Sequence, residues 1–183
     1  RDVLGSRGLG DVYKRQIGKS TTTPRDLETD LDVWIILMAL SESVSARLRK
    51  HGFKCNVVEI SIRDNGLNSI TRQKRISQPT NITDEIVKAA FELFKKHYRW
   101  EHPIRSLGVR GSDLVMEDIP VQLNLFDNQE KRDKLERLDR AVDEIRRRFG
   151  YFSIQRAAMY QDKVLSHLDA GTHTVHPHSY FHG

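Results

Sequence analysis

Cysteine is the residue that this sequence has least of, since Cys55 is its only thiol. A single cysteine cannot form an internal disulfide, so we expect a protein of the reducing cytoplasm. No apolar run approaches the roughly 18 residues that cross a bilayer, and no signal peptide is recognisable. With 38% hydrophobic and 30% charged residues, the composition predicts a soluble protein without a membrane partner.

Catalytic signals are also lacking. Gly18-Lys19-Ser20 imitates the end of a phosphate-binding loop, but that loop requires a glycine where Tyr13 stands. No apolar strand ends in paired aspartates that could hold two magnesium ions, and no nucleophile motif occurs. The C-terminal histidines at 173, 176 and 178 have no sequence neighbours that would orient them around a metal. We therefore predict no catalytic residue, no metal site and no cofactor in this chain.

The net charge of +5 is unevenly distributed. Residues 17–113 hold sixteen basic and twelve acidic residues, a surplus of +4, whereas residues 114–183 hold ten basic and eleven acidic ones. A surplus of this size is compatible with nucleic-acid binding, but it does not prove it.

A β-hairpin over residues 57–75 is the clearest structural signal. Its first strand alternates apolar with polar residues, which is the period of a half-buried strand. The apolar members are Val58, Ile60 and Ile62. Asn65-Gly66 then tolerates the positive φ angles of a two-residue type I′ turn. The returning strand carries three basic residues, Arg72, Lys74 and Arg75.

The turn sets the register of this hairpin. With Asn65-Gly66 at its centre, Glu59 pairs with Arg72, so Arg72 and Lys74 lie on the face opposite the apolar residues. One face would then pack on a core, and the other would offer cations to an anionic partner. The same register turns Ile70 outward, and a bulge or a longer loop would change it.

The remaining elements complete a β-α-β-β-α-β pattern. Strands are predicted over Ile17–Thr23, ended by Pro24, and over Ile104–Val115. Helices are predicted from an N-cap at Thr29 to about Lys50, with Gly52 beyond the end, and from Thr83 to about Tyr98. Such one-sided elements bury their apolar faces as two helices on one side of a four-stranded antiparallel sheet. The fold class is therefore α+β.

We divide the chain into five parts. Residues 1–16 lack helical or strand periodicity and end in GDVYKRQ, which resembles a translated sequencing adapter, so we expect them not to be native. Residues 17–116 form the domain, 117–128 a linker, 129–170 a helical tail and 171–183 a loose C-terminus. A charged helix over 129–149 has an apolar stripe that is either a packing surface or a partner surface. The stripe consists of Leu135, Leu138, Val142, Ile145 and Phe149.

The linker contains the pentapeptide QLNLF, residues 122–126. Exposed leucines and a phenylalanine in an unpaired segment are unfavourable unless something covers them. Such a segment docks into a groove on a partner, with Gln122 as a polar handle, or Leu123 and Phe126 pack back onto the chain. Composition leaves both interpretations open, as it does for the basic sheet face, which is otherwise an ordinary solvated surface.

Three motifs are similar to those of the C-terminal little finger domain of bacterial Y-family translesion polymerases, the DNA polymerase IV family. They are IGKSTTTPRDL, TRQK and IRSLGVRGSDLV, and the resemblance covers residues 17–116. It implies a β-α-β-β-α-β domain that lies along the major groove of primer–template DNA and holds mainly its backbone. It also implies that phosphate contacts come from Ser20, Thr21, Thr22, Thr71, Arg72, Lys74 and Arg110. Arg63, on the same predicted face, is added to this DNA-binding set.

QLNLF is similar to the sliding-clamp-binding peptide of bacterial polymerases and repair proteins. This implies that Gln122, Leu123, Leu125 and Phe126 enter a hydrophobic cleft of the clamp. The whole protein would be a monomeric, cytoplasmic DNA-directed polymerase that copies damaged template in DNA repair and replication. Its palm, fingers and thumb, with Mg²⁺-binding carboxylates, would precede Ile17, so we expect this portion to be inactive by itself.

A rival hypothesis is a stand-alone module for RNA or protein interaction, in which QLNLF is incidental. An RNA reader would display aromatic residues on its open sheet for base stacking. The pattern places none of Trp34, Phe53 and Phe91 on that face, which counts against this hypothesis.

Overall fold

The structure is a computed structural model that describes residues 16–118 and 129–166. Its elements follow in the order β1 (Gln16–Leu27), α1 (Asp30–Lys50), β2 (Phe53–Asp64), β3 (Ser69–Thr80), α2 (Thr83–His97) and β4 (Ile104–Met116). After them come the helix α3 (Gln129–Phe149), two 3-10 turns (Tyr151–Ser153 and Ala157–Gln161) and the short helix α4 (Lys163–Ser166). The predicted β-α-β-β-α-β order and the α+β class are confirmed.

The four strands form one antiparallel sheet in the order β1-β4-β2-β3. Alternate residues of the central strands, such as Ile60 and Val109, are buried in one core with residues of α1 and α2, such as Leu48 and Phe94. Because side chains alternate between the two faces of a strand, the other face of the sheet carries a separate set of residues. In the described ranges, no helix is long and apolar enough to cross a membrane.

Cys55 belongs to this core. Its side chain is fully buried, and burial raises the pKa of its thiol to about 12. A thiol that is covered and stays protonated is unreactive. This agrees with a structural role.

The strand β1 extends further than predicted, because Pro24 does not end it. The pairing of β1 with β4 is irregular between Thr22 and Leu27 and then resumes at Leu27. An irregular stretch can hold a proline, which has no N–H to donate to the ladder. Thr23, buried beside this stretch, donates a hydrogen bond from its hydroxyl to the Arg105 carbonyl at 3.0 Å.

The predicted type I′ turn at Asn65-Gly66 is wrong. The strands β2 and β3 are joined by residues 65–68, and Leu67 has the positive φ angle, 68°. The Asp64 carboxylate accepts a hydrogen bond from the Asn68 backbone N–H at 2.9 Å. The Asn65 N–H donates to the Pro103 carbonyl at 3.0 Å. These contacts stabilise a longer loop than the Asn-Gly pair favours by itself.

The longer loop shifts the hairpin register by one residue. Arg72 is paired with Ile60 and Lys74 with Val58, whereas Glu59 is paired with Gln73. A shift of one residue exchanges the two faces of a strand. The prediction that Arg72 and Lys74 lie opposite the apolar residues is therefore wrong, and they lie on the helix side of the sheet.

The helix α1 begins and ends as predicted. The Thr29 hydroxyl accepts a hydrogen bond from the Asp32 N–H at 3.1 Å, and the Asp32 carboxylate accepts one from the Thr29 N–H at 3.2 Å, which makes a capping box. Burial tends to raise the pKa of Asp32, but hydrogen bonds from Arg25 and the Glu28 N–H lower it below its usual value. Gly52, with φ 67°, follows the helix in the left-handed conformation.

The helix α2 receives its N-terminal cap from α3. Ile82 at the N-cap position has no side chain that could accept a hydrogen bond. Instead, the Asp139 carboxylate accepts one from the Thr83 N–H at 2.8 Å. A carboxylate is stabilised there by the free N–H groups and by the helix dipole.

Charged groups attach α3 to the domain. Arg49 of α1 binds Asp139 at 3.2 Å and Asp143 at 2.6 Å, and it donates to the Asn81 carbonyl at 2.6 Å. Arg132 of α3 binds Glu85 of α2 at 2.8 Å. Asp139 is only 4% exposed, so this contact is a buried ion-pair network.

The chain after α3 completes the network. Arg156 binds Asp139 at 3.1 Å, Glu42 of α1 at 3.1 Å, and also Asp84 of α2. Arg146 of α3 binds the same Glu42 at 3.0 Å. The carboxylates of Glu42 and Asp139 are thus each shared between two arginines.

We predict that Asp139→Ala lowers the free energy of unfolding by about 3 kcal/mol, because Arg49 and Arg156 each lose one buried carboxylate partner and keep only their other ion pairs. It also removes the cap of α2. Chemical denaturation followed by circular dichroism measures the effect. The matched control is Glu144→Ala, which removes a surface carboxylate of the same helix bound to Arg147 and Arg148. An equal loss in both variants would contradict a special role for the buried network.

Candidate nucleic-acid interface

The face of the sheet away from α1 and α2 is built from four rows of cross-strand partners, whose side chains point to the same side. From β1 through β4 and β2 to β3, the rows are Thr22–Ser106–Arg63–Ser69, Ser20–Gly108–Ser61–Thr71, Gly18–Arg110–Glu59–Gln73 and Gln16–Ser112–Val57–Arg75. We name these sixteen positions the open face. Seven of them carry a hydroxyl group and three carry an arginine, and Glu59 is the one carboxylate among them.

The three arginines of the open face are held differently. Arg110 binds Glu59 at 3.0 Å, and Arg75 binds Asp113 at 2.9 Å. Arg63 is exposed at the end of β2. An exposed ion pair such as Arg75–Asp113 contributes only about 0–1 kcal/mol, so an anionic ligand can compete for the Arg75 guanidinium group. Glu59 is half-buried beside Arg110.

Five of the eight predicted DNA-binding residues lie together on the open face. They are Ser20, Thr22, Arg63, Thr71 and Arg110. The other three are on the helix side, because Thr21 is paired with Leu107, Arg72 with Ile60 and Lys74 with Val58.

The shifted register also adds residues that the sequence analysis missed. Gln73 and Arg75 are on the open face, whereas Ile70 and Ile76 pack against the core. The two isoleucines are the signal that could have found this register. They lie an even number of residues from Arg72 and Lys74 and therefore on the same face of the strand. A strand that buries the two isoleucines must place Gln73 and Arg75 on the opposite face.

None of the sixteen open-face positions is aromatic. Trp34, Phe53 and Phe91, which the sequence pattern places away from this face, pack against the core. The described part of this face therefore has no platform for stacked bases.

Two predicted features lie outside the described residues. They are the pentapeptide, with Gln122, Leu123, Leu125 and Phe126, and the histidines at 173, 176 and 178. In the ranges that the structure describes, no three His, Cys, Asp or Glu side chains are grouped so that they could hold a metal ion.

Two glycines of β4 allow close approach on opposite faces of the sheet. A Cβ atom at Gly108 would lie 2.3 Å from Ser61 Oγ and 3.1 Å from Ser20 Cβ. Glycine therefore leaves the middle of the open face free of a protruding side chain. A Cβ atom at Gly111 would lie 3.0 Å from Cys55 Cβ and 3.1 Å from Cys55 Sγ, within the core.

The fold and the open face together define a class, a two-layer α+β domain with one hydroxyl-rich and basic sheet face. Residues 14–125 match the model of the impB/mucB/samB family C-terminal domain. The chain belongs to this family.

Curated relatives agree with this assignment. The DNA polymerase IV of Acetivibrio thermocellus is 46% identical over 158 residues, which are 86% of this chain and 40% of that protein. The DNA polymerase IV 2 of Bacillus subtilis is 36% identical over 149 residues, 79% of this chain and 35% of that protein. The chain thus spans well under half the length of these relatives.

A solved structure with a similar fold is described as a complex of the beta-clamp processivity factor and the little finger domain of PolIV. It is 16% identical, covers 61% of this chain and 99% of that chain, and has a TM-score of 0.47.

We predict that Gly111→Ala lowers the free energy of unfolding by about 1–3 kcal/mol, because the new methyl group overpacks the core at Cys55. Gly108→Ala should cost less, since the Ser61 hydroxyl can rotate away at the surface. Urea denaturation of both variants tests the order. A larger loss for Gly108→Ala would show that the open face is the more tightly packed side.

Proposed function

We propose that this chain is the part of a Y-family DNA polymerase that grips primer–template DNA and tethers the enzyme to the sliding clamp. The observation that carries the proposal is the open face, with seven hydroxyl groups, three arginines and no aromatic residue in sixteen positions. Hydroxyl and guanidinium groups bind phosphate oxygens. Such contacts position a protein on a duplex without reading its sequence.

The open face assigns separate roles to its polar groups. The hydroxyls of Ser20, Thr22 and Thr71 donate hydrogen bonds to phosphates. Arg63 and Arg110 neutralise phosphate charge from the middle strands, and Arg75 does so at the edge. Gly108 lets the DNA backbone come close to the sheet between Ser20 and Ser61.

The three predicted residues on the helix side have a smaller role in this proposal. Arg72 and Lys74 are exposed on the edge strand β3, and Lys74 binds Glu92 of α2. They can reach a phosphate only around the edge of the sheet. Thr21 donates its hydroxyl hydrogen to the Thr22 carbonyl at 3.2 Å.

We predict that Arg63→Ala/Arg110→Ala weakens duplex binding at least tenfold more than Arg72→Ala/Lys74→Ala. Both double variants remove two positive charges, so they differ only in the face that is changed. Each lost phosphate contact should also lower the slope of log affinity against log salt by about 0.9. Fluorescence anisotropy with two primer–templates of unrelated sequence, over a salt series, measures both quantities.

Two outcomes would count against backbone binding by the open face. One is an affinity that does not change with salt. The other is a larger loss from the Arg72 and Lys74 variant than from the Arg63 and Arg110 variant. A strong preference for one primer–template sequence would favour base readout instead.

The whole protein, in this proposal, copies past damaged template as a cytoplasmic monomer. The catalytic carboxylates and their Mg²⁺ ions belong to another part of it. The clamp tether raises the local concentration of the polymerase at the primer end, which compensates for a weak grip on DNA. Gln122, Leu123, Leu125 and Phe126 make that tether.

We predict that the chain binds a bacterial sliding clamp with micromolar or tighter affinity and that Leu125→Ala/Phe126→Ala abolishes this binding. The physical reason is that the two apolar side chains would anchor the peptide in a hydrophobic cleft. Isothermal titration measures the affinity, and Leu67→Ala, at an exposed leucine of the hairpin loop, is the control. If the intact chain does not bind, the tether is wrong even if the open face binds DNA.

A further inference from the structure

The helix α3 has two distinct sides. Arg132, Asp139, Asp143 and Arg146 recur at spacings of seven, four and three and form the side that binds the domain. Leu138, Ile145 and Phe149 recur at spacings of seven and four, so they share another side of the helix. Their side chains are 51%, 36% and 74% exposed.

This arrangement reverses the usual use of an amphipathic helix. Such a helix normally buries its apolar stripe against the core and turns its charges to water. In α3 the buried residue is Asp139, and ion pairs join the helix to the domain. Of the predicted stripe, Leu135 and Val142 are half-buried. The apolar residues at 138, 145 and 149 therefore form a stripe that faces solvent, of the spacing that anchors one helix against another.

The charges of α3 are sorted between its two sides. Six charged residues of α3 form ion pairs with the domain and have no net charge, whereas the eight others have a net charge of +2. The eight others are Glu130, Lys131, Asp133, Lys134, Arg137, Glu144, Arg147 and Arg148. The ion pairs with the domain thus use three of the six carboxylates of α3, and the outer side keeps a net positive charge.

This distribution of charge distinguishes between the partners that could bind the apolar stripe. A second copy of this helix would bring two faces with a net charge of +2 together, and like charges at close range repel. Duplex DNA would satisfy the cations but would leave the leucine, isoleucine and phenylalanine without apolar contacts. An amphipathic helix with acidic flanks satisfies both the apolar stripe and the cations beside it.

We propose that the outer side of α3 is a docking surface for an acidic amphipathic helix of a partner protein. Leu138, Ile145 and Phe149 are the apolar anchors. Lys134 lies one turn before Leu138, and Arg148 lies one turn after Ile145, so both can pair with carboxylates beside the partner's apolar residues.

The test uses the full chain and a synthetic peptide of the same length as α3, with leucines at helical spacing flanked by glutamates. Fluorescence anisotropy should detect binding, and Leu138→Ser/Phe149→Ser should weaken it at least tenfold. Lys134→Glu/Arg137→Glu, at exposed positions that leave the fold intact, should also weaken it. A peptide with lysine in place of glutamate should not bind. Leu31→Ser changes a 46%-exposed leucine on α1 and should leave the affinity unchanged.

Several results would overturn the proposal. They are an unchanged affinity for the acidic peptide in both double variants, equally tight binding of the lysine peptide, and a dimer in sedimentation velocity that Leu138→Ser/Phe149→Ser dissolves. The last result would assign the stripe to a second copy. Weaker binding of duplex DNA in the same variant, without any peptide binding, would assign it to nucleic acid.

Discussion

The pairing register between β2 and β3 is the constraint on which the open face depends. Ile62 and Ile70 are directly opposite each other on the core side, and fully burying one such side chain stabilises by about 1.5–3 kcal/mol. A register one residue away would turn Thr71 and Gln73 toward the core and Ile70 and Ile76 toward water. Apolar burial on one side of the sheet therefore decides which polar groups meet a ligand on the other.

The edge position of β3 explains why cations are tolerated on the core side. Arg72 and Lys74 lie opposite Ile60 and Val58, yet both are exposed, because no further strand covers this edge in the described sheet. Long basic side chains can cover apolar surface with their methylene groups while their charges stay in water. Charges on an edge strand also discourage pairing with other chains.

The attachment of α3 depends on buried ion pairs. Buried ion pairs carry a large desolvation penalty and are weak evidence of stability, but breaking one costs several kcal/mol. In this network Arg49 and Arg156 share Asp139, and Asp139 also caps α2. A shifted or rotated α3 would leave these groups buried without partners, so the network specifies one docked position.

Local signals were sufficient for much of the fold. Thr29 and Gly52 predict the two ends of α1, because caps involve neighbours in sequence. The loop over 65–68 could not be predicted in this way, since it depends on Pro103. The docking of α3 could not be predicted either, because Arg49 and Asp139 are 90 residues apart.

The candidate site could be predicted only where alternation is regular. In β1, the family resemblance implied phosphate contacts from Ser20, Thr21 and Thr22 alike. Neighbouring residues of a strand, however, point to opposite faces of the sheet. In β3, the wrong turn shifted the predicted register by one residue. The predicted face was therefore wrong for Arg72 and Lys74. In β4, Gly108 and Arg110 alternate with buried Leu107 and Val109, and the placement of Arg110 was correct.

The placement of α3 has a consequence for how the two surfaces work together. Its ion pairs with the domain go to α1, to α2 and to Lys54 and Glu117 at the ends of strands, and none of these residues belongs to the open face. The open face lies on the other side of the sheet from α1 and α2. A ligand on the sheet and a helix on the outer side of α3 therefore do not compete for the same residues. If the open face grips DNA, the chain can hold a protein partner through α3 without releasing the duplex.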